Sequence, residues 1–214
     1  MMGADAHLRR ADPVLRRLID DFGGPLPLER DARGRPEELY GALVRSIAGQ
    51  QLSVKAARSI WSKLLTRYDG RTPTPEEILT EDPEELRAAA GFSRAKVAYL
   101  RSLAEHVRSG ALELEALRRL GDAEVTGALT AVKGIGEWTA HMFLMFTLDR
   151  PDVLPVGDLG VRNAVRDAYG LDAAPGPADL TAIAEPWRPY RTRACLYLWR
   201  SLDNEPVQPS GVPD

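Results

Sequence analysis

Helix-opening signals recur along this chain while strand signals hardly appear, and that imbalance constrains its fold more than any other feature. Asp12-Pro13 precedes Val14, Leu15, Leu18, Ile19 and Phe22 at helical spacing, and Gly23-Gly24 stops the run. Pro36 opens a second stripe of Leu39, Tyr40, Leu43, Val44 and Ile47. Ser53 can cap a third helix carrying Trp61, Leu64 and Tyr68, while Thr74-Pro75-Glu76-Glu77 and Asp82-Pro83-Glu84-Glu85 both have capping-box form with proline at the first helical position. Further helices are predicted over 93–107, 112–120 and 122–132, then one from about Glu137, one in LGVRNAVRDAYG closed by Gly170, and a last one from Pro189. DRPDVLPVGD and APGPAD read as loops, and residues 204–214 as a flexible tail. With no alternating run long enough for a sheet, no internal repeat and no long linker, the expected fold is all-α.

Composition narrows the partners. Of 214 residues 44% are hydrophobic, enough for a packed core. A single cysteine, Cys195, excludes a disulfide framework, a four-thiolate iron–sulfur cluster and the usual structural zinc sites, and it fits a reducing, cytoplasmic compartment. His7, His106 and His141 are too scattered to suggest a metal centre. The N-terminus lacks the apolar core of a signal peptide, and no segment approaches the roughly 18 apolar residues of a membrane span, so neither secretion nor membrane insertion is expected. The net charge of −3 argues against nucleic acid unless some local feature binds phosphate without net positive charge.

AVKGIGEWTA, residues 131–140, is such a feature. A helix ends near Val132, Gly134 and Gly136 free the backbone, and another helix begins near Glu137. One reading is a plain helix–helix turn. The other is a phosphate site: the second helix points its unpaired N–H groups into the turn, the glycines remove side chains that would hold a phosphate off, and Lys133 adds one cation at the rim. A GxG motif is weak evidence by itself.

The run from Leu129 to Ala140 resembles a helix-hairpin-helix motif, and with the proline- and glycine-containing loop that ends at Asp158 it is similar to the helix-hairpin-helix DNA glycosylase superfamily. LVRSIAGQQLSVKAA, VLPVGDLGVRNAV and PWRPYRTRACLYLWRSLD resemble one branch, the DNA-3-methyladenine glycosylase II type, over about residues 36–203. The resemblance implies a two-lobed helical protein with an interlobe cleft. One lobe would be 36–148, with the hairpin at about 122–148, and the other 1–35 with 149–203. About 35 residues precede the first matching block, so the N-terminal β domain of longer members is expected to be missing.

The implied chemistry can be matched residue by residue. Cleaving an N-glycosidic bond builds positive charge on the sugar, which a carboxylate stabilises while orienting a water. Asp158 matches the family's catalytic aspartate, although an aspartate before LGVRNAV is also an ordinary helix cap. Trp138 and Trp199 match pocket aromatics, suited to an electron-poor alkylated base taken out of the stack, with core packing as the other reading. Met142 stands where some members have a tyrosine, which bears on substrate preference. Gln50, Gln51, Leu52 and Ser53 occupy the family's DNA-facing loop. Gln51 or Leu52 would be the wedge that fills the vacated stack, unless Leu52 packs as a hydrophobic staple. DNA contacts are also expected from Lys133, Gly134, Ile135, Gly136 and Thr139. The backbone carbonyls of Thr130, Val132 and Ile135 match positions that hold a monovalent Na+ or K+ ion, and no other cofactor is expected. Bifunctional members carry a Schiff-base lysine where this chain has Trp138, so the resemblance implies base release without strand cleavage. The expected partner is double-stranded DNA containing alkylated bases, bound by a monomer. The alternatives are a non-catalytic helix-hairpin-helix DNA-binding module and a glycosylase–lyase acting through Lys133.

Overall fold

A computed structural model describes residues 3–22 and 38–203. Among the described residues the regular structure is helical without a strand: α1 (Ala4–Ala11), α2 (Pro13–Asp21), α3 (Leu39–Gly49), α4 (Val54–Arg67), α5 (Pro75–Thr80), α6 (Pro83–Ala90), α7 (Arg94–Arg108), α8 (Asp122–Thr130), α9 (Glu137–Phe146), α10 (Leu159–Tyr169), α11 (Pro177–Ile183) and α12 (Arg191–Asp203), with 3-10 turns at Leu114–Arg118 and Glu185–Trp187. No helix among the described residues is long and apolar enough to cross a membrane. The expected stop at Gly23-Gly24, the start at Pro36 and the 204–214 tail lie outside the described residues.

Local side-chain signals explain half of the twelve helix starts. Asp12, Ser53, Thr74, Asp82, Ser93 and Asp158 each accept a backbone N–H of the first turn they precede. Thr74 and Glu77 close a reciprocal capping box, whereas Asp82 takes the N–H groups of both Glu84 and Glu85 itself. Glu77 is also gripped bidentately by Arg71, at 2.8 and 2.6 Å, and these bonds hold its carboxyl down at about 2.

Three expectations need correction. The helix predicted over 112–120 is a 3-10 turn, because its buried leucines, Leu112 and Leu117, stand five apart and make no helical stripe. The last helix starts at Arg191 and not at Pro189; Pro189 lies in the turn before it, and the Tyr190 carbonyl accepts the first helical bond from Ala194 at 3.1 Å. Part of the APGPAD loop is helical, since Pro177 occupies the first position of α11 and Leu180 N–H bonds to Gly176 at 2.8 Å.

The chain divides into two compact units, comprising among the described residues 38–148 and 3–22 with 149–203. In the first, Leu43 and Ile47 of α3, Leu64 of α4, Leu100 and Leu103 of α7, Leu129 of α8 and Leu144 of α9 are buried in one core. Each fully buried leucine contributes about 1.5–3 kcal/mol. In the second, Leu8, Leu15, Ile19, Val161, Val165, Trp187 and Leu198 are buried. A buried carboxylate pins that core. Asp12 caps α2 and also accepts from Trp187 Nε1 at 2.9 Å and from the Tyr169 hydroxyl. With every bond made, its burial is tolerable.

Candidate functional site

The hairpin between α8 and α9 is a tight, anchored turn. Val132 and Ile135 are buried, and Ile135 N–H donates to the Val132 carbonyl at 3.1 Å. Gly134 sits at φ +91, a conformation L-residues avoid, and a Cβ there would stand 2.1 Å from Cγ of Tyr99. Gly136 has an ordinary φ of −93 with open space where a Cβ would go, so the two glycines serve different purposes. Gly134 makes the turn, and Gly136 leaves the approach to α9 bare. Gly136, the residue before α9, has no side chain with which to cap that helix.

Two of the expected DNA contacts have buried side chains. The Ile135 N–H is consumed within the turn and its side chain is 4% exposed, which leaves only its carbonyl. Thr139, in the first turn of α9, is also 4% exposed. Lys133 is exposed, and its backbone N–H donates to Ser102 Oγ at 3.3 Å.

The loop after α3 is braced against that turn. Gln50 donates from its side-chain Nε2 to the Gly134 carbonyl at 2.8 Å and so braces the turn as a strut. Lys96 Nζ donates to the Ala48 carbonyl at 2.8 Å and satisfies the end of α3; its burial lowers the ammonium pKa. Beyond the strut, Gln51 takes a left-handed φ of +58 and is exposed. Leu52 is 38% exposed, which does not suit a packed staple. Ser53 Oγ accepts Ala56 N–H at 3.3 Å, and its hydroxyl serves as the cap of α4. Sequence reasoning missed Lys96, Tyr99 and Ser102, whose spacing of three along α7 was the available signal.

In the other unit, residues 149–158 are clipped to the start of α12. Thr192 Oγ1 accepts Val153 N–H at 3.1 Å and donates to the Arg150 carbonyl at 2.6 Å, while Arg191 grips Asp152 at 2.7 and 3.0 Å. Val153 and Leu154 are buried, and Asp158 N–H bonds to the Pro155 carbonyl at 2.9 Å. The loop thus delivers Asp158 at the cap of α10. Its Oδ1 accepts Val161 N–H at 2.7 Å and, across 41 residues of sequence, Trp199 Nε1–H at 2.9 Å. The two readings of Asp158, cap and reactive carboxylate, are therefore compatible in one geometry. Trp199 is half-buried and polar in its engagement, which adds to its expected role as a pocket wall. Cys195, one turn before it, is fully buried, and burial followed by the Asp158 charge pushes its thiol pKa far up.

Trp138, in the first turn of α9, is 47% exposed, with Met142 four residues on and half-buried. So large an exposed aromatic argues against core packing. Among the described residues no group of three or more His, Cys, Asp or Glu could hold a metal ion. The histidines serve locally: His7 Nε2 meets the Pro186 carbonyl, His106 Nδ1 the Ser102 carbonyl, and His141 lies 3.9 Å from Glu137.

The HhH-GPD superfamily base excision DNA repair protein family matches residues 44–189. The chain is 37% identical over 212 residues to DNA-3-methyladenine glycosylase 1 of Schizosaccharomyces pombe, covering 96% of this chain and 91% of that protein. The solved structure of the S. pombe 3-methyladenine DNA glycosylase Mag1 in complex with abasic DNA superposes with a TM-score of 0.81 at 38% identity, over 92% of this chain and 95% of that one. The DNA-3-methyladenine glycosidase of Bacillus halodurans gives 0.72 at 36% identity, over 90% of each chain.

Proposed function

Because the chain belongs to the HhH-GPD superfamily of base excision DNA repair proteins, we propose that it is a hydrolytic DNA glycosylase acting on alkylated bases. It binds double-stranded DNA inside the cell as a monomer, takes an alkylated purine of the 3-methyladenine type out of the stack, and leaves an abasic strand uncut. The observation that carries this reading is the Asp158 carboxylate, held at one oxygen by Val161 N–H and Trp199 Nε1–H. Fixed in that way it faces the developing positive charge of the sugar without reorganising, and it orients the attacking water.

The surrounding assignments follow from the chemistry each group offers. Trp199 and the exposed Trp138 offer aromatic faces to the extruded base, each stack being worth about 1–3 kcal/mol against an unstacking cost of a few kcal/mol. Met142 helps to define which base is accepted. Trp138 has no amine, so no Schiff base forms at that position and the strand is left intact. Gly134, Gly136, Lys133 and the start of α9, where Gly136 presents no side chain, receive a DNA phosphate. Gln51 or Leu52 fills the gap in the stack. The carbonyls of Thr130, Val132 and Ile135 are hard oxygen donors of the kind that Na+ and K+ take, and Val132, already accepting Ile135 N–H, keeps a second lone pair. A bound ion there would add positive charge beside the phosphate.

The test is release of free 3-methyladenine and 7-methylguanine from methylated duplex DNA. Asparagine caps a helix as well as aspartate does, so Asp158→Asn should fold normally. It should release base at least a hundredfold more slowly. Undiminished release by Asp158→Asn would remove Asp158 from the reaction, and no release by the native protein would leave a DNA-binding module.

A further inference from the structure

We infer that Gly160 is a positioning residue of this reaction: the missing side chain is the slot through which the Trp199 indole reaches the Asp158 carboxylate. The inference rests on the reading of Asp158 just given. Gly160 is the second residue of α10 and its φ is not left-handed, so conformational freedom does not explain a glycine there. Inside a helix glycine is about 1 kcal/mol worse than alanine, so something must compensate for it.

The compensation is space. A Cβ at Gly160 would lie 2.9 Å from Asp158 Oδ1, 3.0 Å from Trp199 Nε1 and 3.1 Å from Trp199 Cδ1. The donor and acceptor of the 2.9 Å bond between α10 and α12 therefore both occupy the volume that a methyl would take. Neither can step aside cheaply. The carboxylate oxygen is tied to Val161 N–H at 2.7 Å, and Trp199 follows Tyr197 and Leu198, which are fully buried and fix the path of α12. A methyl group must therefore part the indole from the carboxylate or tilt the carboxylate from its cap. Gly127, in α8, makes the contrast: a Cβ there would meet nothing within 4 Å.

The experiment compares Gly160→Ala with Gly127→Ala, Trp199→Phe and the double variant Gly160→Ala/Trp199→Phe. Single-turnover base release from methylated duplex, duplex affinity and thermal midpoint are measured for each. Gly160→Ala should still fold, with a thermal midpoint lower by a few degrees, and keep its affinity, while release slows about 10- to 100-fold, the loss expected for one hydrogen bond to a charged group. Trp199→Phe should slow release by a similar factor. The double variant should be no more than about threefold slower than the slower single variant, because both changes break one bond. Gly127→Ala should match the native rate.

An independent readout is the Trp199 indole N–H resonance, assigned by its disappearance in Trp199→Phe. It should move in Gly160→Ala and stay in place in Gly127→Ala, whatever the enzyme turns over. The inference is overturned if Gly160→Ala releases base at the native rate, if the two losses multiply, if the indole resonance does not move, or if the variant no longer folds. Active Asp158→Asn would instead overturn the underlying reading of the carboxylate, leaving the resonance result to stand by itself.

Discussion

Replacing Gly134 by alanine should destabilise the protein severely, and the structure supplies the magnitude. At φ +91 an L-residue costs about 1–2 kcal/mol. The new methyl would also lie 2.1, 2.4 and 2.5 Å from three carbons of the Tyr99 ring, so the ring must leave its place at the overpacking cost of about 1–3 kcal/mol. The sum, about 2–5 kcal/mol, is a large fraction of the 5–15 kcal/mol typical of a domain. At this chain length it corresponds to a fall of about 4–20 °C in thermal midpoint. Urea and thermal unfolding measure it, and Tyr99→Ala in the same chain should make the alanine at 134 less costly by relieving the clash while leaving the φ strain. A Gly134→Ala variant within about 0.5 kcal/mol of the parent would refute the argument, as would a clash cost that Tyr99→Ala leaves unchanged. Gly136→Ala is the matched control. Its φ of −93 and open surroundings limit the loss to about 1 kcal/mol at a capping position, yet the methyl would stand where the proposed phosphate contact lies. It should fold and bind duplex DNA more weakly; native affinity would make the bare backbone a matter of the turn alone.

Thr192→Val removes the partner of the buried Val153 N–H and should cost about 1–3 kcal/mol in urea unfolding, with base release slowed because the loop carrying Asp158 loosens. Gln50→Ala removes the strut to Gly134 and should cost about 0.5–1.5 kcal/mol, with weaker duplex binding; unchanged affinity would count against the strut. Burial, opposed by the nearby Glu137 and Asp122, lowers the pKa of His141 below 6.5, so the unfolded chain binds more protons just below that value. Its contribution to stability is therefore full above pH 6.5 and is lost as pH falls through the folded pKa. The stability difference between pH 5 and pH 7 should shrink in His141→Gln. Glu77, at about 2 when folded, contributes above its unfolded value of 4.5 and loses that contribution as pH falls towards 2, so Glu77→Gln should show a shallower acid decline in urea midpoint.

What could be read from the sequence was what short-range chemistry decides. Asp12, Ser53, Thr74 and Asp158 cap helices within three residues of themselves, so their roles are written locally. The helix at Ala4–Ala11 was not anticipated: Gly3 before it makes no side-chain cap and only Leu8 is buried, so it carries neither start signal nor stripe. The start of α12 was misplaced because the clip that fixes it, between Thr192 and residues 150–153, spans about forty positions. The candidate site divides in the same way. Asp158 was recognisable as a cap and by resemblance, but its bond to Trp199 crosses 41 positions and the strut from Gln50 to Gly134 crosses 84. Tyr99 carries no motif and nothing in VLPVGDLGVRNAV singles out Gly160; their importance exists only as volume shared with a residue far along the chain, Gly134 for Tyr99 and Trp199 for Gly160.

One consequence of α7 concerns which changes the chain can tolerate. Lys96, Tyr99 and Ser102 stand on one face of that helix and touch, in turn, the end of α3, the bend at Gly134 and the amide of Lys133. A residue inserted between positions 96 and 102 would turn the downstream half by about 100° and shift it by about 1.5 Å. The three supports would then no longer share a face, and no single substitution elsewhere restores them. Point changes along α7 are local injuries, whereas a change in its length puts the loop after α3 and the turn at Gly134 out of step with each other. The count of residues from Lys96 to Ser102 is thus a dimension of the protein, fixed as firmly as any bond length in the turn it carries.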